Sequence, residues 1–343
     1  MKTKRRLRPI EIAMLVVPLG ALAFASWRMW NTPEVVMPPR YTVQVLNTGN
    51  VCWITDLNDK GDILGYWYKA KSNTESFALR ANIRHKLNLK SNYSVLKMNN
   101  AGDIVGLFHD EKKRTRIFLW RKGKIIHLPT LGGSSAIVFD INDKCEIVGS
   151  ADTTTKTPNS EYYASQAFLW RNGRMINLTP QSNERSFATL INNQSDILIS
   201  DNGEGVVWRN GVRLVHRYFK GSYPKWTREG NYIWHNGRLT QIIPLHGVKE
   251  GHYSVDGANE HGVGIGSAET TFKPARQFAF LVLNGEMISL NGLIPTNQDW
   301  KLERAHAINN RGQIVCQGVL NKQRRFFLLT PQTPATSSTR TDE

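Results

Sequence analysis

The chain is poor in cysteine and lacks the short motifs of common hydrolases and metal proteins. Its three cysteines, Cys52, Cys145 and Cys316, are too few for a disulfide framework. A single Cys52–Cys316 bridge would form only if the two ends of the domain meet. There is no His-Glu-x-x-His, no Cys-x-x-Cys, no Gly-x-Ser-x-Gly and no phosphate-binding glycine loop. No catalytic residue, metal ligand or cofactor is therefore predicted.

Acidic residues are also scarce. The 343 residues include 28 acidic and 44 basic side chains, for a net charge of +16. The first 28 residues hold six of the basic side chains and one acid, so the remainder is basic in its own right, at about +11. An excess of this size favours anionic partners, such as envelope polymers, acidic glycans or phospholipid head groups. A nucleic acid is not expected.

One long hydrophobic run is present, at residues 13–25, behind a basic head. This pattern predicts an N-terminal apolar helix over residues 1–30 that directs export, with the basic head left in the cytoplasm. The small residues Ala23 and Ala25 fit a cleaved signal peptide, whereas Trp27 and Trp30 fit the interfacial end of an uncleaved membrane anchor. Both alternatives remain open. A proline-containing linker at residues 31–40 and a disordered polar tail at residues 333–343 flank the main domain.

A two-part phrase repeats along residues 41–332. Asn-x-x-Gly-x-Ile-Val-Gly is followed by Phe-Leu-Trp-Arg-x-Gly, as at residues 142–149 and 168–173. Copies of the first part begin at Asn58, Asn99, Asn142, Asn192, Asn259 and Asn309. A period of about 40 to 50 residues indicates copies of one supersecondary unit arranged in a stack or a ring.

Each full unit reads as four short strands, here lettered a to d. In the third unit these are residues 136–141, 146–150, 166–170 and 174–178, and Asn-Gly between strands c and d is a strong hairpin signal. Strand c is continuously apolar, which indicates burial on both faces of its sheet, as in the blade of a β-propeller.

The ends of the domain predict a closed ring. The last unit stops after its strand c, and residues 42–46 align with a strand d, so the N-terminal strand can complete the last blade. Strand c recurs seven times but the Asn-to-Gly turn only six times, because the fifth unit, residues 221–243, is shortened. We therefore predict an all-β propeller of seven four-stranded blades, one of them degenerate, with six blades as the alternative.

The repeated phrases resemble those of the HAF-type extracellular repeat family of bacterial proteins. The resemblance is carried by residues 166–175, by the recurring Ile-Asn and Ile-Val-Gly, and by Leu-Pro-Thr-Leu-Gly-Gly at residues 128–133. It covers about residues 41–330 and implies an exported bacterial protein with a repeated β fold. It implies no reaction. The sequence departs from the pattern at Ile199, which replaces the terminal glycine, at Cys145, and in the shortened fifth unit.

Two sets of acidic residues invite a functional interpretation. Asp56, Asn58 and Asp62 are similar to the start of a calcium-binding loop, although the turn geometry explains the same residues without a metal. Asp56 and Asp140 occupy equivalent positions ahead of their turns, so paired carboxylates near the ring axis could perform acid–base chemistry. This is the basis for an alternative function as an envelope hydrolase or lyase.

The connections between strands b and c vary most in length, and variable loops on a rigid scaffold commonly carry binding sites. They include residues 108–116, 151–165 and 268–276. Aromatic side chains beside cations suit sugars and anionic polymers. The candidate binding residues are Tyr66, Trp67, Tyr68, His109, Lys112, Lys113, Arg114, Tyr162, Tyr163, Lys322, Arg324 and Arg325.

The sequence therefore favours a non-enzymatic, exported repeat protein that binds a partner at the cell envelope through one propeller face. The partner would be a glycan, an anionic envelope polymer or another protein. A protein–protein scaffold and a carboxylate-based hydrolase remain as alternatives, because a fold does not specify its function.

Overall fold

The computed structural model describes residues 38–48, 52–69, 73–156, 163–182, 185–201, 204–209, 211–216, 232–235, 238–249, 251–296 and 298–332. The predicted N-terminal apolar helix, nearly all of the linker and the predicted C-terminal tail lie outside these residues. Within them, no helix has the length and apolar character needed to cross a bilayer.

The described residues form 26 strands and one short 3-10 turn at Leu290–Gly292. The chain opens with β1 (Tyr41–Val45). Blade 1 is β2 (Cys52–Leu57), β3 (Ile63–Lys69), β4 (Asn73–Arg80) and β5 (Ile83–Lys86). Blade 2 is β6 (Tyr93–Met98), β7 (Ile104–His109), β8 (Thr115–Arg121) and β9 (Lys124–His127). Blade 3 is β10 (Gly132–Ile141), β11 (Ile147–Lys156), β12 (Tyr163–Arg171) and β13 (Arg174–Asn177). Blade 4 is β14 (Ser186–Ile191), β15 (Ile197–Asp201), β16 (Glu204–Arg209) and β17 (Val212–His216).

A two-stranded hairpin, β18 (Tyr232–His235) and β19 (Arg238–Gln241), comes next. Blade 5 is β20 (Tyr253–Ala258), β21 (Gly264–Glu269), β22 (Gln277–Leu283) and β23 (Glu286–Ser289). Blade 6 is β24 (Trp300–Ile308), β25 (Ile314–Leu320), β26 (Gln323–Pro331) and, as its outer strand, β1. All pairings within the blades are antiparallel.

The N-terminal strand closes the ring, as predicted. β1 pairs with β26 along its whole length, with Val43 opposite Leu329. Because β1 supplies strand d of the blade whose other strands come last in the chain, the two ends of the domain are joined by strand pairing. No disulfide contributes, since Cys52 and Cys316 are separate buried thiols.

The prediction of seven blades is wrong, and the six-blade alternative is confirmed. Among the described residues six sheets have four strands, and the described part of the fifth sequence unit supplies the two-stranded hairpin β18–β19. Ile233 of this hairpin packs in the same apolar cluster as Val255 and Phe280 of blade 5. Ile243, just after β19, pairs in parallel with Glu286 at the outer edge of that blade. The unit has the sequence of strands c and d but lacks an Asn-to-Gly turn, so it adds to blade 5.

The turns between strands a and b all lie on one side of the ring, which we call the turn face, together with the turns between c and d. The b-to-c and d-to-a connections lie on the opposite side, the loop face. In every a–b turn the first Asn accepts backbone hydrogen bonds from the second and fourth residues after it, as Asn58 Oδ1 does from the N–H groups of Lys60 and Asp62 at 3.1 and 2.9 Å. This local bonding explains why Asn is required at that position.

The second residues of the six turns form a closed ring of hydrogen bonds. Each backbone N–H donates to the side-chain oxygen of the second residue in the following turn, at distances of 2.7–3.1 Å. In order, these residues are Asp59, Asn100, Asp143, Asn193, Glu260 and Asn310, and the last donates back to the first. The ring passes directly from Asn193 to Glu260 although 67 residues separate them, so the hairpin between them has no place at the axis.

Packing between strands b and c explains two residues of the repeated phrase, the glycine that ends its first part and the phenylalanine that begins its second part. The phenylalanine of strand c is fully buried in five blades, at Phe77, Phe118, Phe168, Phe280 and Phe327. In blade 3 a Cβ added to Gly149 would lie 2.7 Å from the Phe168 ring and 2.0 Å from the carbonyl oxygen of Ile137, so only glycine fits there.

Blade 4 solves the same packing problem with different residues. Ile199 replaces the glycine, and the residue opposite it on strand c is Val206 instead of phenylalanine. Both side chains are buried, at 1% exposure each. A larger residue on strand b is thus matched by a smaller one on strand c, which conserves the volume between them.

We predict that Gly149→Ala lowers the free energy of unfolding by about 3 kcal/mol, because the new methyl group overlaps backbone and ring atoms that cannot both move away. The measurement is chemical denaturation followed by tryptophan fluorescence. Gly292→Ala is the matched control, since a Cβ there would meet no atom within 4 Å, and it should change stability by less than about 0.5 kcal/mol. Equal stabilities for the two variants would contradict this account of the repeated glycine.

Candidate functional site

The first strand of each blade lines the central axis, and each of these strands carries a β-bulge at the same place. The register shifts lie between Ile54 and Asp56 in blade 1 and between Val95 and Lys97 in blade 2, with equivalents in the other four. A bulge re-aims the side chain that follows it. The re-aimed residues are Asp56, Lys97, Asp140, Leu190, Gly257 and Ala307.

Three of these residues form a charged layer beside the turn ring. Asp56, Lys97 and Asp140 line an axial cavity of about 170 Å³ together with the turn residues. Lys97 Nζ lies 3.0 Å from Asp56 Oδ1. Burial alone would lower the pKa of Lys97, but the charges of Asp56 and Asp140 outweigh it and raise that pKa above its usual value. Lys97 is therefore a stable cation between two carboxylates.

The two carboxylates of the alternative acid–base interpretation each join neighbouring blades. Asp56 Oδ2 accepts a hydrogen bond from the backbone N–H of Met98 at 2.8 Å, and Asp140 Oδ2 accepts one from Ile191 at 3.0 Å. Each carboxylate thus satisfies a donor of the next blade, which is a structural role. Asp56 and Asp62 of the calcium-like loop are likewise bonded within the fold, and among the described residues no group of three or more acidic, His or Cys side chains could hold a metal ion.

Closer to the loop face, the first strands of adjacent blades meet through a set of side chains that we call the axial funnel. These are Trp53, Phe139, Phe187, Asp256, Arg304 and His306. Trp53 is 42% exposed and meets His306 of the neighbouring blade edge-on, with ring centroids 5.6 Å apart. Arg304 donates two hydrogen bonds of 3.1 Å to the Asp256 carboxylate. Phe139 and Phe187 meet edge-on from blades 3 and 4. The funnel therefore has an apolar part and a part that combines an aromatic ring with charge.

The sequence analysis missed the axial funnel. Its residues lie three or five positions before the Asn of each turn, where the burial of strand a alternates, as in β2 and β6. The same two positions carry different residue types in different blades. No repeated motif therefore marks them, and only the ring places them together.

The predicted aromatic residues of blade 1 belong to strand β3 and not to a loop. Trp67 stacks on Phe77 with ring centroids 4.1 Å apart, and its Nε1 donates a hydrogen bond of 2.6 Å to the Thr48 carbonyl. Arg84 lies over the same ring at 4.7 Å. Tyr66 is half-buried in the cluster between blades 1 and 2. Trp67 is thus mainly a core residue, and the side chain of Tyr68 lies outside the description.

The predicted residues of blade 2 form a tight turn. Asp110 accepts hydrogen bonds from the backbone N–H groups of Lys112 and Arg114, and its carboxylate also binds the Arg114 guanidinium at 2.7 Å. Arg114 is therefore neutralised locally. Lys112 and Lys113 remain exposed at the tip, and His109 is exposed at the end of β7.

The remaining candidates are distributed over blades 3 and 6. Tyr163 is 42% exposed at the start of β12, whereas Tyr162 lies outside the described residues. Lys322 and Arg324 are exposed in and beside the β25–β26 turn, and Arg325 is partly buried, with hydrogen bonds to Gln323 and to the Arg324 carbonyl. The structure thus places these residues on the loop face of several blades and does not gather them in one pocket.

His306 is a funnel residue with a strongly displaced pKa. Burial and, to a lesser extent, the nearby Arg304 charge lower its pKa to about 4. Its Nε2 is buried and has no hydrogen-bond partner among the described residues. The imidazole is therefore neutral at physiological pH.

Comparison with known proteins identifies no family for this chain. No family model matches the chain, and no curated protein matches it. Among solved structures, the β-propeller domain of the Trilobed protease from Pyrococcus furiosus is 10% identical, covering 82% of this chain and 85% of that chain at a TM-score of 0.38. TolB from Acinetobacter baumannii is 12% identical, covering 79% and 64% at 0.40. The Aleuria aurantia lectin, in a complex with Fucalpha1-6GlcNAc, is 9% identical, covering 87% and 100% at 0.36.

We predict that His306 makes the fold acid-sensitive. Between pH 6.5 and 4 the unfolded chain binds a proton at this residue that the folded chain does not, so stability falls as the pH falls, by up to about 1.4 kcal/mol per pH unit. His306→Phe keeps ring contacts with Trp53 and Phe326 and should remove this share of the pH dependence. The measurement is the unfolding free energy at pH 4.5 and 7 for both proteins. The exposed His109→Phe serves as control, and an unchanged pH dependence in His306→Phe would overturn the assignment.

Proposed function

We propose that this protein is an exported, non-enzymatic propeller of the HAF-type repeat family that binds an anionic polymer at the cell envelope through its loop face. The N-terminal basic and apolar segment supports export, and the repeated phrases support the family. A binding role fits better than catalysis, because the axial carboxylates are occupied by Lys97 and by backbone donors of the adjacent blades.

The proposal rests on a difference between the two faces of the ring. Arginines on the turn face are paired with carboxylates, whereas several cations on the loop face are not. On the turn face, the arginine that ends strand c is paired with the acid that follows the a–b turn. The pairs are Arg80–Asp62 at 3.5 Å, Arg121–Asp103 at 2.7 Å, Arg171–Glu146 at 4.0 Å and Arg209–Asp196 at 2.7 Å. The repeated arginine of the phrase is thus neutralised by its own unit.

On the loop face, several cations have no such partner. Lys112, Lys113, Lys322 and Arg324 are exposed, and no carboxylate of a described residue lies within 4.0 Å of them. Unpaired cations raise the local concentration of anions and speed their encounter with the surface. Blades 2 and 6 flank blade 1, so these charges lie on the two blades next to the one that carries Trp53.

The chemistry of the funnel favours a glycan-type polymer among anionic partners. An exposed indole offers a flat apolar surface for a sugar ring, and the adjacent cations suit its acidic substituents. An acidic protein would use the same charges without requiring Trp53. The two kinds of partner can therefore be separated by a substitution at that residue.

We predict that the double variant Lys112→Glu and Lys113→Glu binds heparin or polygalacturonate at least about tenfold more weakly than the wild-type chain at 0.15 M salt, because it reverses unpaired charge at the loop face. The matched control is Lys60→Glu with Lys124→Glu, which makes the same change in net charge on the turn face and should alter the affinity by less than about twofold. The measurement is biolayer interferometry with the full chain, with neutral dextran as the ligand control.

The outcomes of this experiment are distinct. Equal losses in both double variants would mean that bulk charge alone drives binding and would overturn the loop-face site. Trp53→Ala should weaken binding to polygalacturonate and leave binding to polyglutamate unchanged if a sugar ring stacks on the indole. The absence of binding to all polyanions would contradict the proposed function.

A further inference from the structure

On the turn face, blades 1 and 2 meet at a cavity of about 480 Å³, which we call the blade 1–2 pocket. Its volume lies within the range of about 300–1,000 Å³ that is typical of small-molecule sites. Arg80 of blade 1 lines it, together with Asp103, Trp120, Arg121 and Lys122 of blade 2. The pocket therefore has the size of a ligand site and combines an indole with charged groups.

The indole is accessible because the a–b turn of blade 2 carries a small residue. The fourth residue of that turn is Gly102 in blade 2 and Cys145 in blade 3, and each donates a backbone hydrogen bond of 3.0 Å to the first Asn of its turn. Cys145 belongs to the same apolar cluster as Trp170, which is buried at 8% exposure. Trp120 is the counterpart of Trp170, and it is only half-buried beside the glycine.

The cations of the pocket differ in how far their donors are already used. Arg121 donates hydrogen bonds of 2.9 and 2.7 Å to the Asp103 carboxylate, so this pair is satisfied. Arg80 lies 3.5 Å from Asp62 and donates no hydrogen bond to a described residue. Lys122 is exposed and has neither a hydrogen bond nor an ion pair with a described residue. The donors of Arg80 and Lys122 are therefore available to a ligand.

The charge of the pocket and its indole together indicate the class of ligand. The lining residues include three cations and one carboxylate, for a net charge of +2. A phosphate monoester carries about −1.5 to −2 at neutral pH, so it matches this charge better than a single carboxylate does. Guanidinium and ammonium groups both bind phosphate well. The indole offers a flat apolar surface on which a ring can stack.

We propose that the blade 1–2 pocket binds a small molecule in which a phosphate monoester is attached to a ring, such as a sugar phosphate or a nucleoside monophosphate. The ring lies on Trp120, and the phosphate oxygens accept hydrogen bonds from Arg80 and Lys122. The pocket lies on the face opposite the loop face, so this inference goes beyond the proposed function and does not depend on it.

The test is isothermal titration calorimetry of the full chain with glucose 6-phosphate and with AMP, and with glucose, adenosine and inorganic phosphate as their parts. We expect at least one ester to bind at least about tenfold more tightly than either of its parts, because both the ring and the phosphate contribute. A preference for one ester would identify the ring that stacks on the indole. Failure of both esters to bind would overturn the proposal, as would inorganic phosphate that binds as tightly as the esters.

Two substitutions copied from other blades test the named contacts while keeping the fold. Trp120→Leu copies Leu79 and Leu329, which lie at the same position opposite the first isoleucine of strand b. Lys122→Asn copies Asn172, which has the same positive φ in its turn, 52° against 48°. We expect each variant to bind the ester at least about fivefold more weakly. Wild-type affinity in both variants would overturn the assignment of these contacts.

A third variant fills the pocket, and a fourth serves as the control. Gly102→Cys copies Cys145, which adopts the positive φ of this position, and its Cβ would lie 3.5 Å from the Arg80 guanidinium, an ordinary contact. We expect it to weaken ester binding by at least about tenfold. Lys144→Gln copies Gln194 and removes a turn-face charge that does not line the pocket, so it should change the affinity by less than about twofold. Equal losses in the control would mean that bulk charge drives binding and would overturn the pocket.

The failure of this inference is distinguishable from that of the proposed function. All four variants should keep wild-type affinity for polygalacturonate, because their substitutions lie on the turn face. A chain that binds polygalacturonate but neither ester would overturn this inference alone. A chain that binds an ester but no polyanion would overturn only the proposed function.

Discussion

The ring of hydrogen bonds between the second residues of the a–b turns is the constraint on which the rest of the structure depends. Each turn must satisfy a backbone N–H that points at its neighbour, and a short side-chain oxygen in the next turn accepts it. Around the ring the acceptors alternate between carboxylates and carboxamides. The Asn100 amide donates to the carboxylates of both Asp59 and Asp143, so the negative charges are separated by donors. This arrangement fixes the number of blades, the closure of the axis on the turn face and the position of every first strand.

Much of the fold could be predicted because its signals are local and repeated. The Asn-Gly hairpins, the apolar strand c and the offset of the N-terminal strand each specify a pairing, and β1 pairs with β26 as expected. The number of blades could not be counted from strand c, since the copy of strand c in β18 belongs, among the described residues, to a two-stranded sheet and not to a four-stranded blade. The number of a–b turns equals the number of blades, because only that turn occupies a place at the axis. The exchange of glycine and phenylalanine for Ile199 and Val206 depends on the pairing of these two residues across strands b and c, which the sequence alone does not give.

The candidate site was less predictable for a physical reason. Sequence reasoning selected aromatic residues near loops, but Trp67 is held by Phe77 and the Thr48 carbonyl, and Arg114 is held by Asp110. Large aromatic side chains and arginines stabilise strand ends as readily as they bind partners. Trp53 and His306 are 253 positions apart in the sequence and meet only because blade 6 closes against blade 1. A contact made by ring closure leaves no trace in a single repeat.

The repeat also provides a baseline against which exceptions become informative. The acid–arginine pair that recurs in blades 1 to 4 places polar groups at the exposed end of strand c, where an apolar pair would leave hydrophobic surface in water. Gln313 and Thr330 solve the same problem in blade 6 by a neutral hydrogen bond. Val263 and Leu283 do not solve it, because part of their surface stays open beside Tyr41 and Pro331. Blade 5 therefore differs from the other full blades in that apolar packing against the next blade, and not a polar pair, holds this end of strand c.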